Sequence, residues 1–156
     1  MVKKFGMLSL VMAVFALVCA GSALAEGERY ATIGQMKGEV LVRFDHSGEW
    51  KPAQVGMKLN QMGEIKTGNN ATAEIHLDQN AETGKFDVKE NSLVRLASLE
   101  RDAVTGDKTT LLDLAIGKVI VKAEKLEGDS KFEVRTPTST TGVRGTVFEV
   151  SVAKEA

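Results

Sequence analysis

The residues with most chemical promise lie near the C-terminus, in the stretch Thr136-Pro137-Thr138-Ser139-Thr140-Thr141-Gly142-Val143-Arg144-Gly145-Thr146. Gly142 and Gly145 open backbone angles that a side chain forbids. Between them stands one arginine, whose five donors in a rigid fork suit carbonyl oxygens or a carboxylate. Two roles fit. Arg144 could lace an irregular bend to the rest of the fold by satisfying backbone carbonyls, or it could face a partner from a groove lined by Ser139, Thr140 and Thr136. The structural role is favoured, because a guanidinium is well suited to holding irregular backbone. The stretch lacks the lysine and the spacing of a phosphate-binding loop.

Elsewhere the chemistry is thin. An enzyme needs a positioned nucleophile, base or metal, and after residue 25 the chain offers two histidines and no cysteine. His46 falls in a turn and His76 on the outward phase of a strand, so both are expected to be solvated. No Gly-x-Ser-x-Gly elbow appears. Asp78, Asn80 and Glu82 alternate oxygen ligands as a calcium loop does, but Thr83 and Lys89 occupy the positions that such a loop gives to glycine and to a bidentate glutamate. A long polar hairpin is the better reading there. Asn70-Ala71-Thr72 matches a glycosylation acceptor and is taken as incidental. The expectation is a non-enzyme without cofactor or metal.

The elements that hold these residues read as β throughout. Ala71, Ala73, Ile75 and Leu77 alternate with polar residues, and so do Phe148, Val150 and Val152. A period of two buries one face of a strand and solvates the other. Shorter runs at 40–42, 93–96, 119–121 and 132–134 say the same, and turn residues separate them at 45–48, 67–70, 105–107 and 127–129. Segments 92–101 and 111–114, rich in leucine, are also read as strands. Many short strands argue a single all-β domain: a sandwich, a roll or a short solenoid-like stack. The expected interior is Val40, Val42, Ile75, Leu77, Val119, Val121, Phe132, Val134, Phe148 and Val150. A faint echo links 38–43 with 117–122, and 65–68 with 134–137. It fits either two similar half-units or a coincidence among strands of like composition.

The first 25 residues have the pattern of a secretion signal: Lys3 and Lys4, an apolar run from Phe5 to about Val18, and Ala23 and Ala25 before Glu26. The apolar run is shorter than the roughly 20 residues that span a bilayer. Cleavage after Ala25 is expected, leaving a periplasmic or secreted chain of 131 residues, with 26–35 as a lead-in and 153–156 as a tail. Cys19 follows Leu17-Val18 rather than a small residue, so cleavage at a lipidated cysteine is disfavoured. The expected mature chain therefore has neither disulfides nor thiolate metal sites, and no later segment is apolar enough to span a membrane. The full chain has 20 basic and 21 acidic residues. Loss of Lys3 and Lys4 leaves 18 against 21, a formal charge of −3. Nucleic-acid binding, which calls for a clustered basic excess, is not expected.

Thr136-Pro137, then Gly142-Val143-Arg144-Gly145-Thr146 and Phe148, closed by Val150, resembles the C-terminal signature of the FecR-type domain. Trp50, Pro52-Ala53, Gly56, Leu59, Gly63, Ile65 and Thr67-Gly68 resemble its upstream half, so the likeness covers about residues 36–152. Ser139-Thr140-Thr141 and the stretch 78–87 depart from the family pattern. The best-known relatives carry a signal from an outer-membrane transporter to a sigma factor through a cytoplasmic segment and one membrane helix. The likeness here implies a free-standing extracytoplasmic module that binds an envelope protein or a cell-wall glycan, without the cytoplasmic segment. The alternatives are an accessory component of signalling that involves a sigma factor and a transporter, or a cell-envelope hydrolase.

Overall fold

The computed structural model describes residues 27–153. These form twelve strands and one short 3-10 turn, Gln79–Ala81. The strands are β1 (Ala31–Lys37), β2 (Val40–Arg43), β3 (Lys51–Pro52), β4 (Lys58–Leu59), β5 (Glu64–Thr67) and β6 (Thr72–Leu77). After the turn come β7 (Gly84–Val88), β8 (Leu93–Arg101), β9 (Lys108–Ala123), β10 (Lys131–Arg135), β11 (Thr140–Val143) and β12 (Val147–Val152). The fold is all-β, as the period of two predicts.

One strand organises the rest. The first half of β9 pairs with β8 on one side and, in parallel, with β10 on the other. Its second half pairs with β7 and β12. The sheet thus curls into two layers, β4-β1-β6-β7-β9-β12 and β3-β2-β5-β8-β9-β10-β11, with β9 in both. The hand-over falls at Gly117. Its φ is +94°, and a Cβ there would lie 2.5 Å from Ser92 Cα, so the bend demands glycine.

Chain length shows how sharp the curl is. β10 starts opposite Thr109, at the far end of β9. A straight strand from Thr109 to Ala123 would run about 46 Å at strand rise. The link from Ala123 to Lys131 reaches only about 28 Å when fully extended. β9 must therefore fold its two ends towards each other.

The inward phases of both layers meet in one core. Ile33, Ile75, Leu77, Phe86, Val119 and Val121 come from one layer, and Val42, Ile65, Leu96, Leu112, Phe132 and Val134 from the other. Eight of the ten residues expected inside are buried. Phe148 and Val150 are only partly buried, packed against the core. Their alternation is correct, but among the described residues β12 has a strand neighbour on one side only, so its inner face is half-covered.

Two further expectations change. The segment 26–35, expected as a lead-in, contains the start of β1, which begins at Ala31 and buries Ala31 and Ile33. Gly34 hid this strand, because its place in the outward phase is dictated by the His76 ring. A Cβ at Gly34 would sit 2.5 Å from His76 Nε2. The internal echo does not extend to pairing. In the first copy β2 and β5 pair with each other. In the second, 117–122 pairs with β7 and β12, while β10 pairs with 109–113. What the copies share is a left-handed glycine at the head of each matched stretch: Gly38, before β2, at φ +74°, and Gly117, inside β9, at φ +94°. The signal-sequence expectation lies outside the described residues.

Candidate functional site

The C-terminal bend is a crossing. β11 ends the outer edge of one layer, and β12 begins the outer edge of the other, so residues 144–146 carry the chain between layers. Val143 is buried opposite Phe132, and Gly145 turns at φ +65°. Thr146 O accepts from Ala123 N at 3.4 Å, tying the turn to the end of β9. Arg144 itself is exposed, and Nη2 donates to Gly128 O at 3.3 Å. It does lace a carbonyl, but with one long bond at the surface.

The hydroxyls expected beside it divide. Thr136 and Ser139 close the turn between β10 and β11. Thr136 N donates to Ser139 O at 2.7 Å, and Ser139 N donates to Thr136 Oγ1 at 3.0 Å. Pro137 lies within this turn, and Thr140 starts β11 with an exposed side chain. A cleft of about 370 Å³ lies beside the bend, lined by Lys131, Glu133, Gly142 and Arg144. Arg144 and Gly142 reach it; Ser139 and Thr140 do not line it.

A much stronger arginine site lies where no motif pointed. Arg29 precedes β1, and its side chain is 4 % exposed. Nε and Nη2 each donate to Asp78 at 2.9 Å. Nη1 donates to the carbonyls of Glu100 at 3.0 Å and Thr109 at 2.8 Å, and Nη2 also donates to Thr110 Oγ1 at 2.9 Å. The Thr83 hydroxyl donates to Asp78 as well, and Lys108 Nζ lies 3.8 Å away. Burial pushes the Asp78 carboxyl upward. Hydrogen bonds from Arg29 and Thr83, with the charges of Arg29 and Lys108, outweigh it and hold the group below the usual carboxylate value. Asp78 thus opens the polar hairpin expected there, but points inward as a counter-ion.

The outer face of the β2-β5-β8-β9-β10 layer carries a row of alternating charge, one residue per strand. Arg43 stands opposite Glu64, Glu64 opposite Arg95, Arg95 opposite Asp113, and Asp113 opposite Arg135. Arg43 bonds Glu64. Arg95 Nε donates to Asp113 at 3.2 Å and Arg135 Nε at 2.6 Å. Burial opposes the charges of Glu64 and Asp113, but the hydrogen bonds from their cationic neighbours prevail and hold both carboxyls low. Trp50 closes one end of the row, with the Arg43 guanidinium 4.5 Å from its ring centre. Thr140, opposite Arg135, closes the other.

Both histidines join carboxylates. His46, in its turn, is solvated, with Nδ1 3.0 Å from Glu64 Oε1. His76 is half-buried, with Nε2 2.7 Å from Glu74 Oε1; the expectation of a solvated ring fails because the ring lies over Gly34. Among the described residues, no group of three histidine, cysteine or acidic side chains could hold a metal, and no helix is long and apolar enough to cross a membrane.

Neither the curated proteins nor the solved structures include a match to this chain. The family model described as FecR protein matches residues 63–156, from the turn before β5 through the crossing to the C-terminus. The upstream likeness, from Trp50 to Leu59, precedes the matched part. With more than half of its length matched, the signature bend included, this chain belongs to the FecR family.

Proposed function

We propose that this FecR-family chain is a non-catalytic regulatory module of the cell envelope, exported by cleavage after Ala25, which acts by binding another protein. The observation that carries this reading is the row Arg43–Glu64–Arg95–Asp113–Arg135 with Trp50 at its end. Tryptophan and arginine dominate the energetics of protein interfaces, and here cross-strand pairing holds the arginines in place before a partner arrives. Such preorganisation lowers the ordering cost of binding. A protein fits better than a cell-wall glycan, because the Trp50 face that would stack on a sugar already carries the Arg43 guanidinium. Membership of a family of signalling regulators supports the regulatory role.

The test is capture from an envelope extract by the exported chain, with Trp50→Ala and Arg135→Ala as variants. Both residues lie outside the core, so their melts should stay close to that of the original protein. Captured protein should fall at least severalfold in each variant. Undiminished capture by well-folded variants would remove the row from the binding surface. An N-terminus other than Glu26 in the exported chain, read by mass spectrometry, would overturn the processing.

A further inference from the structure

Among the described residues, four strands form the open edges of the two layers: β3, β11, β4 and β12. An open edge presents unpaired N–H and C=O groups, and natural sheets blunt such edges to prevent chance pairing. Three of these edges are blunted. β3 has two residues and includes Pro52; β4 has two residues and starts with Lys58. β11 has four residues, with Gly142 inside it.

β12 is not blunted. It runs for six residues, Val147 to Val152, with no proline, glycine or lysine. Among the described residues it pairs with β9 alone. Its single charge, Glu149, is matched by Lys118 at 2.9 Å. Val147 is 67 % exposed, and Phe148, Val150 and Val152 make a half-covered apolar row against the core.

We propose that β12 is the docking edge for a second copy of this chain, with the two β12 strands antiparallel across a two-fold axis. The strand's own pattern selects this occupant. In a two-fold antiparallel pair, residues opposite each other lie on the same face, so only registers centred on a residue keep the apolar row together. Centring on Glu149 sets two carboxylates face to face. Centring on Phe148 shortens the pairing, because the chain turns away at Gly145. Centring on Val150 aligns Phe148 with Val152 of the partner copy and sets Glu149 opposite the partner copy's Ser151. That register is self-complementary: one continuous apolar row inside, and hydroxyls facing carboxylates outside.

A single short edge buries little surface, so the association belongs to the weak, concentration-dependent class. The edge belongs to the layer that does not carry the arginine row, so a dimer leaves the proposed protein-binding face open. Failure of one reading does not touch the other.

Sedimentation velocity of the exported chain over a concentration series tests the proposal. The original protein should show a monomer–dimer equilibrium. Ser151→Glu sets like charges opposite each other twice at the dimer axis and should weaken association about tenfold. Within the monomer that substitution faces Lys118, so its melt should not fall. Ser151→Lys should retain or tighten the dimer, because each new ammonium meets the partner copy's Glu149. A protein that stays monomeric at all concentrations overturns the proposal, as does a Ser151→Glu variant that associates as well as the original. A monomer whose capture of another envelope protein drops with Ser151→Glu would assign the edge to a foreign strand, and also overturns it.

Discussion

Two arginines stand at irregular backbone in this fold, and they have exchanged the roles that local context suggests. Arg144 sits in a glycine-flanked bend and meets one carbonyl at 3.3 Å, at the surface. Arg29 sits in a plain segment before β1 and uses its whole fork on Asp78, two carbonyls and two hydroxyls. Those carbonyls belong to Glu100 and Thr109, on the β8–β9 pair, while Asp78 follows β6. Arg29 therefore pins the start of one layer to the open end of the other. What decides the weight of an arginine is how much low-dielectric backbone and carboxylate surrounds it, not the rarity of its flanking residues.

Removing either partner of the buried Arg29–Asp78 pair should have the largest effect. Arg29→Ala leaves Asp78 charged and enclosed, and should cost about 3–5 kcal/mol, the usual penalty for an uncompensated buried charge. Denaturant unfolding measures it; a loss no larger than that of a surface substitution would refute the pinning role. The pair also has a pH signature. The Asp78 carboxyl is held below its usual value in the folded chain, so its contribution is fully present above the unfolded pKa of about 4 and fades as the pH falls through the folded pKa. Stability should therefore drop with acid below about pH 4, and Asp78→Asn should flatten part of that slope at a lower overall stability. Glu64, Glu74 and Asp113, lowered in the same direction, add to that slope.

An enclosed strand and an open one should also differ in what truncation costs. Phe132→Ala, in β10 with only 1 % of its surface exposed, should cost about 3–5 kcal/mol. Phe148→Ala, in the edge strand β12, should cost less than half as much, because its transfer from water is incomplete to begin with. Equal losses in parallel denaturant titrations would show that β12 is covered in solution, which dimerisation through that edge would produce at high protein concentration.

The smallest effects should come from the bend itself. Gly145→Ala places a Cβ at φ +65° with its nearest neighbour, Lys125 Cα, 3.6 Å away, so it meets conformational strain without a clash and should cost about 1–2 kcal/mol. Arg144→Ala loses one exposed bond and should cost about 0.5 kcal/mol or less. A thermal melt that ranks the two the other way would return Arg144 to the lacing role.

The β character was readable because alternation is local: Ala71 to Leu77 and Phe148 to Val152 declare their faces whatever they pair with. The interior was readable for the same reason, except where Phe148 and Val150 fell on an edge, since alternation tells which face is inward but not how much lies above it. The crossing could be recognised by its glycines, and with it the family. The arginine row was not readable, although Arg43, Glu64, Arg95, Asp113 and Arg135 all occupy outward phases of strands that alternation could find. No rule of local spacing sets them side by side.

Local sequence specifies the repertoire: strands with one apolar face, glycines where the backbone must turn, and a signature bend shared with a family. Those properties depend on neighbours within a few residues, through sterics and side-chain period. Which charges meet is set by the three-dimensional fold. Arg29 finds Asp78 across 49 residues and Thr109 across 80, and those meetings depend on strand order and register. Both follow from how β9 curls through Gly117 to serve two layers, and a curl is a property of the closed sheet, because only closure brings its distant edges within reach of a hydrogen bond.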